Sequence, residues 1–200
     1  RIARDSERRG IAMKRRTLVI LLACCLALCA SVALVACGGG GSQAKDSRTD
    51  CIWFKADIPE GAEVSSYGGT ANVATIKFEN DADDWTIQMD RDKKPLDEAA
   101  AYHPTQYPDR YTAGEDITVG GRTWKVVNFE WNGKPSVMLY SDLGGDEIKT
   151  AHIDAFELTP DSEVLKSFLE SLEYADNIDD AYNEAASVKI ADFRSEKGLK

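Results

Sequence analysis

Four apolar runs between Ile117 and Leu158 are separated by paired turn residues, and no other segment constrains the fold as tightly. Ile117-Thr118-Val119 meets Gly120-Gly121, Arg122 to Trp131 meets Asn132-Gly133, and Ser136 to Tyr140 is followed by Gly144-Gly145 before Glu147 to Leu158. Gly-Gly and Asn-Gly supply the positive φ angles that tight hairpin loops need, so the spacing predicts four strands in an antiparallel meander. Strand 122–131 carries Trp124 and Val126 on one side and Val127, Phe129 and Trp131 on the other. Strand 136–140 likewise sets Val137 and Leu139 against Met138 and Tyr140. Apolar residues on both faces require cover on both.

Three further strand signals precede the meander. Cys51-Ile52-Trp53-Phe54 is ended by the turn Pro59-Glu60-Gly61, Asn72 to Phe78 follows, and Trp85 to Met89 alternates cleanly. Pro95 opens a short helix over 96–102, whose alanines and first-turn acids favour it. Pro104 stops that helix by biasing His103 away from helical dihedrals. Thr159-Pro160-Asp161 starts a second helix over 161–173, with Val164, Leu165, Phe168, Leu169 and Leu172 on one face. The second helix is expected to cover one face of the sheet, and the first helix with the tail to cover the other. The tail, 175–200, scatters Ile178, Tyr182, Ala185, Ile190 and Phe193 among acids. That pattern suits both a short amphipathic helix and a frayed terminus.

The N-terminal part has a different character. Met13-Lys14-Arg15-Arg16 precedes Thr17 to Ala36, which carries no charge, as in a secretory signal. A run of about 20 apolar residues also suffices for an uncleaved anchor. Two features favour cleavage. Leu34-Val35-Ala36-Cys37 resembles the lipobox of bacterial lipoproteins, and Gly38 to Ser42 form a flexible tether rather than a basic stop-transfer flank. The resemblance implies that Cys37 is acylated, that the signal is cut before it, and that the lipid holds the protein to the extracytoplasmic face of the cell membrane. Residues 1–12 read as an over-extended start before Met13. The expected organisation is therefore 13–36 signal peptide, 37–50 tether, 51–174 folded domain and 175–200 tail.

Charge then narrows the partners. Residues 1–36 hold seven Lys or Arg and two acids, which leaves 17 bases against 32 acids, or −15, where the whole chain has −10. Such a balance argues against nucleic acid as a partner. Of five cysteines only Cys51 lies beyond the signal and the lipid site, so no internal disulfide is available and a packed core must hold the domain. A lone cysteine opening an apolar strand reads as a small buried hydrophobe.

The order of elements, together with Phe54-Lys55-Ala56-Asp57-Ile58-Pro59-Glu60-Gly61, Ile117-Thr118-Val119-Gly120-Gly121 and the closing helix at Leu165 to Leu172, resembles the PsbP-like superfamily over residues 51–174. The resemblance implies an α+β fold, an α-β-α sandwich around a mainly antiparallel sheet of about seven strands. That superfamily includes the photosystem II extrinsic subunit, a Ran-binding nuclear-import factor and many bacterial lipoproteins. It also implies a non-enzymatic binding or accessory domain. Its members share a fold and no common ligand, so no functional residue transfers.

Candidate sites follow from the residues alone. His103 beside Pro104 reads as a surface helix-end residue. Thr150, His152 and Asp154 share one face of a strand, where His-x-Asp could supply two metal ligands but no third is signalled, so a solvated polar face is expected. Asp81, Asp83 and Asp84, with Glu79 and Asn80 adjacent, form the most acidic loop and the candidate divalent-cation site. The EF-hand pattern fails there, because Trp85 and Thr86 replace an oxygen ligand and the glycine, and a solvated strand connection is the ordinary reading. No Gly-x-Ser-x-Gly occurs and no histidine neighbours Cys51, so an envelope hydrolase has no motif behind it. Trp53, Trp85, Trp124 and Trp131 could line a groove or stack on glycan, although strand aromatics are usually core. Tyr102, Tyr107 and Tyr111 lie where no core needs filling, and they are the expected ligand or partner surface. The functional expectation is a lipid-anchored, non-catalytic envelope binding or accessory protein with no cofactor, whose partner is an envelope protein or a glycan.

Overall fold

The computed structural model describes residues 46–200. The expected signal peptide, Cys37 and most of the tether lie outside the described residues. The chain is mixed α+β. A small sheet joins β1 (Thr49–Asp50), β2 (Phe54–Ala56) and β11 (Glu173–Tyr174), in the order β1-β2-β11. A larger sheet contains β3 (Glu63–Ser66), β4 (Ile76–Asn80), β5 (Trp85–Asp92), β6 (Thr112–Ala113), β7 (Ile117–Val119), β8 (Arg122–Trp131), β9 (Lys134–Asp142) and β10 (Thr150–Phe156). Its order is β3-β4-β5-β10-β9-β8-β6, with β7 also on the outer edge of β8, and every pairing is antiparallel. Four α-helices are present among the described residues: α1 (Leu96–Gln106), α2 (Glu163–Ser171), α3 (Ile178–Ser187) and α4 (Ile190–Lys197). None is long and apolar enough to cross a membrane.

The meander expected from 117 to 158 forms in order, β7-β8-β9-β10, with its hairpin turns at positive φ on Gly120, Gly121, Asn132 and Gly133. Then β10 pairs with β5 and brings the first half of the chain into the same sheet. Eight strands therefore replace the expected seven or so. The run Cys51–Phe54 is not one strand: Ile52 takes φ +74, and the Cys51 N–H donates to the Phe54 carbonyl at 2.8 Å, folding a turn between β1 and β2.

Side chains alternate along each strand, so the two faces of the large sheet carry separate cores. On one face Ile76, Ile87, Met89, Leu139, Ile153 and their neighbours pack against Leu165, Phe168 and Leu169 of α2, Ile178, Tyr182 and Ala185 of α3, and Phe193 of α4. On the other face Val127, Phe129, Met138 and Tyr140 pack against Ala99 and Ala100 of α1. Two expectations change here. The tail forms two helices and joins the α2 side rather than the α1 side, because Trp53 offers Tyr182 an edge-on ring contact at 5.5 Å. Backbone bonds lace the α3–α4 junction to the segment before β4, with Val73 N–H donating to Val188 at 3.0 Å and Ile190 N–H to Ala71 at 3.0 Å.

Helix α1 also runs a turn beyond its expected end. Pro104 lies inside it and leaves the Ala100 carbonyl without its helical donor, but the Tyr107 N–H closes the last turn on His103 at 2.9 Å. Burial of Ala99 and Ala100 against the sheet outweighs the local preference. Helix α2 starts at Glu163, later than expected, with Ser162 at the N-cap.

Because α1 lies over β8 and β9, no helix among the described residues packs to a comparable extent on the β4-β5-β10 half of that face. That half positions the candidate site.

Candidate functional site

The strand register sets the rows of this face. His152 on β10 stands between Asp90 of β5 and Tyr140 of β9, while Asp154 stands between Gln88 and Met138. Lys77 of β4 extends the second row beside Gln88. The His152 Nε2 lies 3.0 Å from Asp154 Oδ1, and the imidazole stacks on the Tyr140 ring at 4.4 Å. Burial disfavours the charged imidazole, yet the carboxylate of Asp154, aided by Asp90 and Asp92, outweighs it and raises the His152 pKa above the ordinary histidine value. His103 shifts the other way, lowered by burial and by the neighbouring His152 charge. Its Nδ1 is buried without a hydrogen-bond partner. Both histidines therefore depart from expectation: His103 sits within α1 facing the sheet, and His152 is mostly enclosed rather than on a solvated face. No hydrogen bond joins either one to a Ser, Thr or Cys among the described residues.

The three expected tyrosines are brought together. Tyr102 and Tyr107 are 43% and 49% exposed, while Tyr111 packs partly against the smaller core. The rings form a connected series across the face. His103 touches Tyr102 at 5.2 Å and Tyr111 at 4.8 Å, and Tyr111 meets Tyr107 at 6.3 Å and Phe129 at 5.5 Å. Phe129 then meets Phe156 at 5.8 Å, and Phe156 meets Trp131 at 5.0 Å. Trp131 is 47% exposed, and Tyr102, Tyr107 and Trp131 are the large hydrophobics that stand exposed among the described residues. All three belong to this one series. The other tryptophans, Trp53, Trp85 and Trp124, are core.

At the Trp131 end the face deepens into a pocket of about 300 Å³, lined by both the β4–β5 connection and the tip of the β8–β9 hairpin. The acidic loop borders it, and two of its three aspartates are engaged. Asp83 accepts from the Asn80 amide at 3.0 Å, and Asp84 pairs with Lys134, which also pairs with Glu157. The ammonium of Lys134 holds the Asp84 pKa below the usual carboxylate range. Among the described residues no group of three or more His, Cys, Asp or Glu side chains is arranged to hold a metal ion.

Sequence reasoning missed the junction of Trp131, Phe156, Lys134 and Glu157 with the acidic loop. A faint signal was there. Trp131 abuts the Asn132-Gly133 turn, where a strand has outrun the core, and Phe156 shares the alternation of His152 and Asp154.

No protein-family model matches the chain, and no curated protein matches it. A crystal structure of a protein from Bacteroides thetaiotaomicron superposes with a TM-score of 0.40 at 13% identity, covering 64% of this chain and 47% of that one. The chain thus spans about half the length of that protein, and a likeness this loose carries no argument.

Proposed function

We propose that this chain is a lipid-anchored, extracytoplasmic binding or accessory protein of the cell envelope, non-catalytic, held to the membrane through Cys37. Its fold is read as an α-β-α sandwich of the PsbP-like kind, a reading supported by helices on both faces of an antiparallel sheet. One observation supports the binding role above the rest: Tyr102, Tyr107 and Trp131 are exposed together on one ring-contact series. Exposed aromatics gathered on one face mark interaction surfaces, whereas scattered ones carry no message. The recognised partner is an envelope component, protein or glycan.

Co-sedimentation with isolated cell envelopes tests this. The protein should pellet with envelopes, and the combined Tyr102→Ala, Tyr107→Ala, Trp131→Ala variant, with unchanged circular dichroism, should lose about tenfold or more in affinity. Equal pelleting of the variant, or no pelleting of either protein, overturns the reading.

A further inference from the structure

The pocket beside Trp131 differs in chemistry from the tyrosine end of the same face, and we propose that it binds a single neutral sugar ring of an envelope glycan. This deepens the recognition reading above and rests on it.

Most of the charges around the pocket are already compensated, Asp81 being the exception. Lys134 bridges Asp84 and Glu157, Lys77 pairs with Glu79 at 2.6 Å, and Asn80 is occupied by Asp83 and by the N–H groups of Ala82 and Asp83. A strongly charged ligand would have to break these pairs. What the pocket offers instead are the side chains of Gln88, Asn132 and Thr86, which line it and make no hydrogen bond to another protein group among the described residues. Amides and hydroxyls both donate and accept, so they match a ligand that does the same at several positions. A purely apolar ligand would leave them unpaired, at a cost.

The aromatic wall fits the same ligand. Trp131 is backed by the edge of Phe156 at 5.0 Å and 61°, and Phe156 is fixed in turn by Phe129 at 89°. A half-exposed indole held in this way is a rigid flat platform beside polar groups. It suits a ring with one apolar face and hydroxyls around its rim. The volume of about 300 Å³ lies at the small end of ligand clefts, room for a ring and not for a folded segment. Three residues at the rim, Asp84, Asn132 and Glu157, hold left-handed backbone with φ between 51 and 62°. Turn chemistry accounts for Asp84 and Asn132. It does not account for Glu157, which is fixed there by its N–H donating to Ser136 Oγ at 2.9 Å and by Lys134.

The chain reports on its own pocket, since Trp131 is exposed while Trp53, Trp85 and Trp124 are buried. The experiment is a fluorescence and calorimetric titration of the purified protein with maltohexaose, cellohexaose, mannohexaose and chitohexaose. Oligogalacturonate and one acidic and one basic peptide serve as charged probes. A neutral oligosaccharide should bind and change tryptophan emission. Trp131→Ala should weaken it by about tenfold or more, Trp131→Phe should retain part of the binding, and Gln88→Ala and Asn132→Gly should each weaken it several-fold. Glu170→Ala, exposed on α2 at the opposite side of the sheet, should leave it unchanged. Binding by none of the neutral probes, preference for a charged probe, or full binding by Trp131→Ala overturns the proposal. Envelope pelleting that survives Trp131→Ala but is lost in Tyr107→Ala would sink the sugar pocket and leave the recognition face standing.

Discussion

Gly120 and Gly121 stand side by side at φ +61 and +72, yet a methyl group would meet different neighbours at each. At Gly121 there is open space, so Gly121→Ala should cost only the left-handed conformation, about 1–2 kcal/mol. At Gly120 the added carbon would lie 2.5 Å from the Leu169 carbonyl of α2, and Gly120→Ala should cost roughly 3 kcal/mol or more. Urea midpoints of the two variants check the order, and equal midpoints would contradict it. Cys51 is fully buried, and burial pushes its thiol up to about 12. It should resist alkylation in native buffer and react only on unfolding. The histidines give a signed pH prediction. The raised pKa of His152 stabilises the fold below the ordinary histidine value and is lost as pH rises through the folded pKa. For His103 the lowered pKa stabilises above that value and is lost as pH falls. Proton NMR should show His152 titrating above His103, and Asp154→Asn should lower His152. At this scale the sequence was only partly legible. Tyr102 and Tyr107 stand exposed, but Tyr102 lies on α1 and Tyr111 packs on the smaller core rather than on a loop with no core to fill. The enclosure of His152 was missed because it depends on Tyr140, which stacks on it from another strand.

Among the elements, α3 is anchored by a carboxylate outside its own helix ladder. Asp179 in its first turn accepts from the N–H groups of Asp146, Glu147 and Ile148 at 2.9, 3.2 and 2.8 Å, fixing the β9–β10 connection against the helix. Those bonds lower the Asp179 pKa. The stability they supply is present above the ordinary carboxylate value of about 3.9 and is lost as pH falls through the lower, folded pKa. Asp179→Asn should therefore lower the urea midpoint at neutral pH, and the difference from the parent protein should shrink in acid. A difference independent of pH would contradict this. The elements themselves were legible wherever a local signal existed. Paired glycines and Asn-Gly announced the hairpins, and the apolar stripe announced α2. Other elements had no such signal. The last helix has a weak stripe, the tail helices gain their place from Trp53 and the segment before β4, and α1 passes Pro104 because alanines on its inner face are buried. Tertiary contacts decided these, and a window of sequence does not contain them.

At the scale of the molecule, the large sheet separates two unlike faces. One is closed by α2, α3 and α4 over a continuous aromatic and aliphatic core. Among the described residues the other is only half closed by α1, and its remaining half carries the polar rows, the exposed end of the ring series and the pocket. Apolar residues on both sides of strands 122–131 and 136–140 foretold cover on both faces, but not that the cover would be unequal. Unequal cover depends on where β4, β5 and β10 join the sheet, and that pairing links residues far apart in the chain. The central claim is that recognition uses the half-open face alone. Hydrogen–deuterium exchange of the protein with and without isolated envelopes tests it most directly. Protection should concentrate at 102–111 and 129–134, with none added over α2, α3 and α4. Protection centred on those three helices instead, with the aromatic face unchanged, would contradict the account.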